Sequence, residues 1–187
     1  MKNLYLLLIV FCLAASNVFA QDIFLKADNI TDGAGPSGTY LNYSVISSRQ
    51  FGVTAESSWL KGGGASVGKA QFNQIVITKG VDVASNKLLP LIAQGKSIPN
   101  MEIVSTADNN GQTQVVNKIE LKGVYITKIT SSTVEGCTDG CPGIAESYEM
   151  VYKAIRITTY SQDRKTGKWT ANPTQFAWDV ASMDDSF

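Results

Sequence analysis

The sequence predicts a mainly β fold, a barrel or a sandwich with one amphipathic helix, and three observations predict it. Several short runs alternate β-branched or aromatic residues with polar ones, and clusters of Gly, Pro, Ser and Asp separate them. Two longer runs, "KIELKGVYITKI" and "YEMVYKAIRITTY", both switch the phase of their apolar residues midway. One segment, "VDVASNKLLPLIAQGKS", carries helical spacing instead.

The first twenty residues stand apart from that fold. Lys2 precedes a twelve-residue apolar run, Leu4 to Ala15, and Val18 and Ala20 occupy small-residue cleavage positions. This is the pattern of a secretory signal peptide over 1–20, cut after Ala20, and it predicts a secreted or periplasmic protein with a single domain over 21–187. The run is shorter than the roughly 20 apolar residues a membrane span needs, and no later run is apolar enough to cross a bilayer.

The mature elements follow in order. "DIFLKADNI" reads as a first strand, stopped by the turn cluster "TDGAGPSG", and "YLNYSVISSRQFGVTA" supplies the next extended stretch. "ESSWLKGGGASVGK" reads as a flexible connection, "AQFNQIVITK" as a strand, and "MEIVSTA" and "FAWDV" as shorter ones. In the helix Ala84, Leu88, Leu91 and Ile92 share one face, Asp82 or Ser85 caps the start, and Gly95 fits the residue past the last turn. Pro90 kinks the helix if it starts near Asp82 and is tolerated in the first turn if it starts later.

The two phase-switching runs are the informative pair. Ile119 and Leu121 face one way, and Val124 and Ile126 resume out of phase after Gly123, a natural site for a bulge. Tyr148, Met150 and Tyr152 are followed out of phase by Ile155 and Ile157. Matching switches predict one long hairpin that bends, contributing to two packed sheets or to a barrel corner.

Composition excludes several functions. The chain has 16 basic, 16 acidic and no histidine side chains, so Ser-His-Asp, Cys-His and His-ligated zinc chemistry are absent. A near-neutral balance gives no electrostatic footprint for nucleic acid. Asp184-Asp185 is the only adjacent acidic pair, and it reads as a solvated segment rather than an acid–base site. Cys137 and Cys141 are the two cysteines left after cleavage, and in an exported chain they predict a loop-clamping disulfide. No cofactor and no metal are expected.

One motif needs a decision. Gly63, four residues, then Gly68-Lys69 matches the G-x-x-x-x-G-K of a nucleotide-binding loop. Ala70 replaces the hydroxyl residue that binds magnesium, and "AQFNQIVITK" continues as a strand where a phosphate cradle requires a helix. The stretch therefore reads as a connection between strands, with Trp59 and Leu60 as apolar anchors of the kind enriched at interfaces.

The collinear order of "DIFLKADNI", the glycine-rich block through "ITKGVDVASNKL", "ESYEMVYKAIRITTYSQDRKTGKW" and "FAWDV" resembles the haemolysin-coregulated protein (Hcp) family, the tube component of bacterial type VI secretion. The most specific piece is Val76 to Leu88. The resemblance implies a small β-barrel of two packed antiparallel sheets with one flanking α-helix, a non-catalytic structural role, homo-hexameric rings that stack, and secreted effector cargo. It makes residues 57–70 a subunit-contact loop, with Trp59, Leu60, Lys61, Gly62, Gly63, Gly64 and Lys69 as its contact residues. The signal peptide and the cysteine loop depart from the family's pattern. A second expectation is an exported monomeric barrel that binds a small ligand or surface partner in a pocket lined by Tyr152 and Trp178.

Overall fold

The computed structural model describes residues 21–36, 38–60, 63–109, 112–133 and 143–187. Among them are thirteen strands and one α-helix, and every strand pairing is antiparallel. The first twenty residues and the cysteines Cys137 and Cys141 lie outside the described residues, so the signal peptide and the disulfide remain sequence expectations.

The barrel closes because one strand is long enough to serve two neighbourhoods. β1 (Gln21–Ala27) pairs with β2 (Ser44–Gln50) and β8 (Ile98–Asn109); β2 pairs with β7 (Ile75–Gly80), β7 with β10 (Ile144–Val151), and β10 with β9 (Gln112–Thr133), which pairs back to β8. β9 has 22 residues, about 70 Å if it ran straight, too long for a small domain unless it bends. It bends at Gly123, whose φ is +58°, a left-handed conformation that costs other residues energy. Ile119 and Leu121 before it and Val124 and Ile126 after it all reach the core, so the glycine absorbs the phase switch.

The partner of β9 takes the same bend by breaking. β10 ends at Val151 and β11 (Ala154–Gln162) begins at Ala154, with the Lys153 N–H donating to the Lys122 carbonyl at 2.9 Å. The expected single hairpin is therefore one long strand facing two short ones. β11 extends the sheet outward to β12 (Trp169–Ala171) and β13 (Phe176–Asp179).

The first strand also ends earlier than its composition suggests. Beyond Ala27 the chain turns through Asn29 at φ +63°, and the buried Thr31 hydroxyl accepts the Ala27 N–H at 3.1 Å. The loop then returns over the outer side of β1, where Tyr40 stacks on Phe24 with centroids 4.0 Å apart. That cover explains why Phe24 and Leu25, on opposite faces, are both buried.

Helix α1 (Ser85–Gln94) packs Ala84 and Leu88 into the core, with Leu91 and Ile92 partly buried beside them. Gly95 closes it in the left-handed conformation, with Gly95 and Lys96 N–H groups donating to Ile92 and Leu91 carbonyls. Pro90 sits in the interior, past the tolerant first turn, and cannot donate to the Asn86 carbonyl. Both residues are exposed, so the missing bond falls on the solvent side of the helix and leaves no group unpaired in the core.

Candidate assembly surface

Between Phe51 and Asn73 the chain leaves the barrel as a two-tiered ribbon. β3 (Val53–Thr54) pairs with β6 (Gln71–Phe72), and β4 (Ser57–Leu60) pairs with β5 (Gly63–Val67). The Gly68 N–H donates to the Glu56 carbonyl at 2.7 Å, joining the tiers. Neither tier is hydrogen-bonded into the barrel sheet. The segment read as a flexible connection is thus an arm, reaching at most about 26 Å over residues 53–60 at ~3.3 Å each.

The arm is short of contacts of its own. An isolated two-stranded ribbon is marginal in water, its outer edges are unpaired among the described residues, and Val53 and Val67 are 43% and 70% exposed. The Ser58 and Ser66 hydroxyls, 2.7 Å apart, make a polar cross-strand pair. Unpaired edges with exposed apolar groups are surfaces that another chain can cover.

The expected contact residues are spread along it. Trp59 and Leu60 end β4, in register with Ala65 and Gly63, and Gly63 and Gly64 open β5. Lys61 and Gly62, which join those strands, lie outside the described residues. Lys69 is exposed but sits at the root, beside Glu56 and Phe72, so the structure does not bring it to the tip. Strands flank the Gly68-Lys69 pair on both sides, and the Gly68 N–H is already used, which is not the geometry of a phosphate cradle.

Tyr152 and Trp178, expected to line a ligand pocket, are committed elsewhere. Tyr152 is buried, its hydroxyl donates to the Asn73 carbonyl at 3.3 Å, and burial pushes it up to about 12. Trp178 stacks on Phe72 at the arm's root, centroids 5.9 Å apart.

Sequence reasoning missed a buried ion cluster at the end of β7 that leads into α1. Lys79, fully buried on β7, donates to Asp82 Oδ1 at 2.8 Å, Ser85 Oγ at 2.8 Å and the Gly80 carbonyl at 3.0 Å, and lies 3.2 Å from Glu146 Oε2. Glu146 is its direct cross-strand neighbour on β10 and also accepts from the Ser85 and Tyr148 hydroxyls, at 2.6 and 2.7 Å. Burial alone would raise the Glu146 carboxyl; the bonds from Ser85, Tyr148 and Lys79 outweigh it and hold the group below its ordinary value. Burial, and then the hydrogen bond to Glu146 and its charge, push the Tyr148 phenol far up. Asp82 Oδ1 also accepts the Ala84 N–H, so the cluster ties the entry of α1 to β7 and β10. The expected side-chain cap from Asp82 or Ser85 is not formed, because the N-cap position falls on Ala84, between them.

The outer face of β8, β9 and β11 carries a second, more open charge network. Lys118 bridges Glu102 at 2.6 Å and Glu120 at 3.5 Å, Tyr43 donates to Glu102 at 2.8 Å, and Phe187 lies over Lys122 and Arg156 at 4.4 and 4.0 Å. Among the described residues no group of three or more His, Cys, Asp or Glu side chains is placed to hold a metal ion, and no helix is long and apolar enough to cross a membrane.

Comparison with known proteins places this architecture. The model of the family described as type VI secretion system effector, Hcp, matches residues 24–159. Among solved structures, a type six secretion system protein superposes with a TM-score of 0.76 at 23% identity, covering 88% of this chain and 99% of that one. Hcp1 from Salmonella typhimurium gives 0.68 at 21%, covering 89% and 99%. The secreted protein Hcp3 from Pseudomonas aeruginosa gives 0.53 at 17%, covering 82% and 98%. None of the curated proteins matches.

Proposed function

The chain belongs to the Hcp family of type VI secretion, a family of tube-forming structural proteins, and we propose that it works without catalysis, as the repeating subunit of a hexameric ring. The observation that carries this reading is the arm: a ribbon with no place in its own barrel, unpaired at its edges, with exposed Val53 and Val67 and with Trp59 and Leu60 at its far end. Burying those edges against the next copy in a head-to-tail interface that closes satisfies them all at once. In this reading Trp59, Leu60, Lys61, Gly62, Gly63 and Gly64 meet the neighbouring subunit, and Lys69 borders the contact at the root. Rings stack into a tube whose lumen carries effector cargo. Residues 1–20 direct export and are removed, and Cys137–Cys141 form a disulfide outside the cytoplasm.

Native mass spectrometry of residues 21–187, with and without reductant, tests the reading. The expected result is a six-subunit species, and deletion of residues 57–67 is expected to leave a folded monomer. A chain that stays monomeric at every accessible concentration overturns it.

A further inference from the structure

An arm that joins subunits must leave the barrel in one direction, because a ring closes only if each copy turns the next by the same angle. The ribbon's strand pairing is internal to it. At its base the Asn73 N–H donates to the Gly52 carbonyl at 3.0 Å and the Asn73 carbonyl accepts from the Tyr152 hydroxyl at 3.3 Å, which fix where the arm leaves but not how it tilts. What sets the tilt is also at the root. Phe72, the last residue of β6, lies over two aromatic rings of β13 at once: Phe176, with centroids 6.1 Å apart and planes 22° apart, and Trp178, at 5.9 Å and 17°. Phe176 and Trp178 are two positions apart on one face of the strand, so a swing of the arm slides Phe72 off both.

The platform itself is fixed to the core. Trp178 and Phe176 are in register with Ile155 and Ile157 of β11, and Ile155 is fully buried. The turn after β13 is held by the Asp179 carboxylate, which accepts the Ala181 and Ser182 N–H groups, and by the Val180 N–H bonded to the Lys153 carbonyl at 2.7 Å. Beside the stack an open groove of about 430 Å³ runs between the root residues Glu56, Lys69 and Gln71 and the turn residues Val180 and Met183, with Phe72 itself on its wall. Trp178 Nε1 is buried without a hydrogen-bond partner among the described residues. An indole held where its N–H goes unused is held for its ring.

We infer that the Phe176–Phe72–Trp178 stack is the positioning device of the arm, fixing the angle at which it meets the next copy and hence the number of copies that close a ring. This deepens the assembly reading above and rests on it. Phe72, Phe176 and Trp178 are positioning residues and need not touch the neighbouring subunit.

The experiment compares residues 21–187 with Trp178→Ala, Phe72→Leu and the exposed-site variant Phe176→Ser, against Trp178→Phe and Phe72→Tyr, which keep a ring in place. Hydrogen exchange of 53–58 and 66–72 is read beside that of β8 and β9, and native mass spectrometry reads the distribution of assemblies. Loss of a ring is expected to speed exchange at the root at least tenfold with β8 and β9 unchanged, and to replace one ring size by a mixture of sizes and open chains; the ring-keeping variants restore both. Root exchange and assembly sizes like those of the unaltered chain in all three ring-loss variants overturn the inference. If the unaltered chain forms no ring, the assembly reading fails by itself, and the exchange comparison still decides whether the stack holds the arm.

Discussion

Residues 53–72 and 75–94 are neighbours in the chain, two residues apart, and opposite in physics. The first is a ribbon of Ser, Gly and a few exposed apolar groups, paired only with itself. The second, β7 and α1, delivers Ile75, Ile77, Lys79, Ala84 and Leu88 to the interior and is held to β10 by buried charges. The difference teaches where the protein is self-sufficient and where it is not. The polar groups of the second segment are satisfied within one subunit, so its substitution damages the fold. The first leaves its edges and valines uncovered, so its substitution damages what another copy completes.

The largest effect expected on stability comes from the ion cluster. Lys79→Met removes the only cation among the described groups of the cluster while Asp82 and Glu146 keep their charges at side-chain exposures of 17% and 10%. Breaking a buried pair from one side costs about 3–5 kcal/mol, readable as a fall in the denaturation midpoint. A loss under about 1 kcal/mol would erase the contrast between the segments. The same cluster sets an acid limit. The folded Glu146 carboxyl lies below its unfolded value, so its contribution is fully present above the ordinary glutamate value of about 4.3 and is lost as pH falls through the lower folded value. Glu146→Gln is expected to lower the midpoint at pH 6 and to flatten its fall between pH 5 and 2; an unchanged acid slope would locate that dependence elsewhere.

A smaller effect is expected at the bend of β9. Gly123→Ala places a Cβ at φ +58°, 3.1 Å from the Lys153 Cβ. The left-handed conformation alone costs a non-glycine residue about 1–2 kcal/mol, and the expected result is a destabilisation of that size with assembly intact. A neutral outcome would mean that the bend does not depend on the glycine.

This bend was legible in the sequence because a phase switch in apolar residues is visible wherever both halves of a strand face the core. The helix was legible for the same reason, through Ala84, Leu88, Leu91 and Ile92. The arm's pairing was not, because its hydrogen bonds are backbone to backbone and its Ser and Gly residues carry no alternation. The ion cluster left a signal that composition hides. Lys79 follows Ile75 and Ile77 in strand phase, and Glu146 precedes Tyr148 and Met150 in phase. A lysine and a glutamate at core positions of two strands are a pair waiting for a pairing register, and only the structure, by setting β7 beside β10, supplies it. The same dependence hid the positioning stack, since Phe72 and Trp178 are more than a hundred residues apart in the chain and meet only through the fold.

The smallest effect on stability is expected on the arm, and there the contrast is sharpest. Val67 is 70% exposed on β5, so Val67→Ser removes little buried surface and is expected to change the unfolding free energy of the dilute chain by less than about 0.5 kcal/mol. If the next copy covers that edge, the same change removes apolar area from an interface repeated at every step of a ring. Titrating assembly by native mass spectrometry should then show subunit association weakened several-fold at unchanged monomer stability. A variant that loses stability and keeps its assembly would reverse the assignment: the arm would belong to its own barrel, and the search for the contact between copies would move to the charged outer face of β8, β9 and β11.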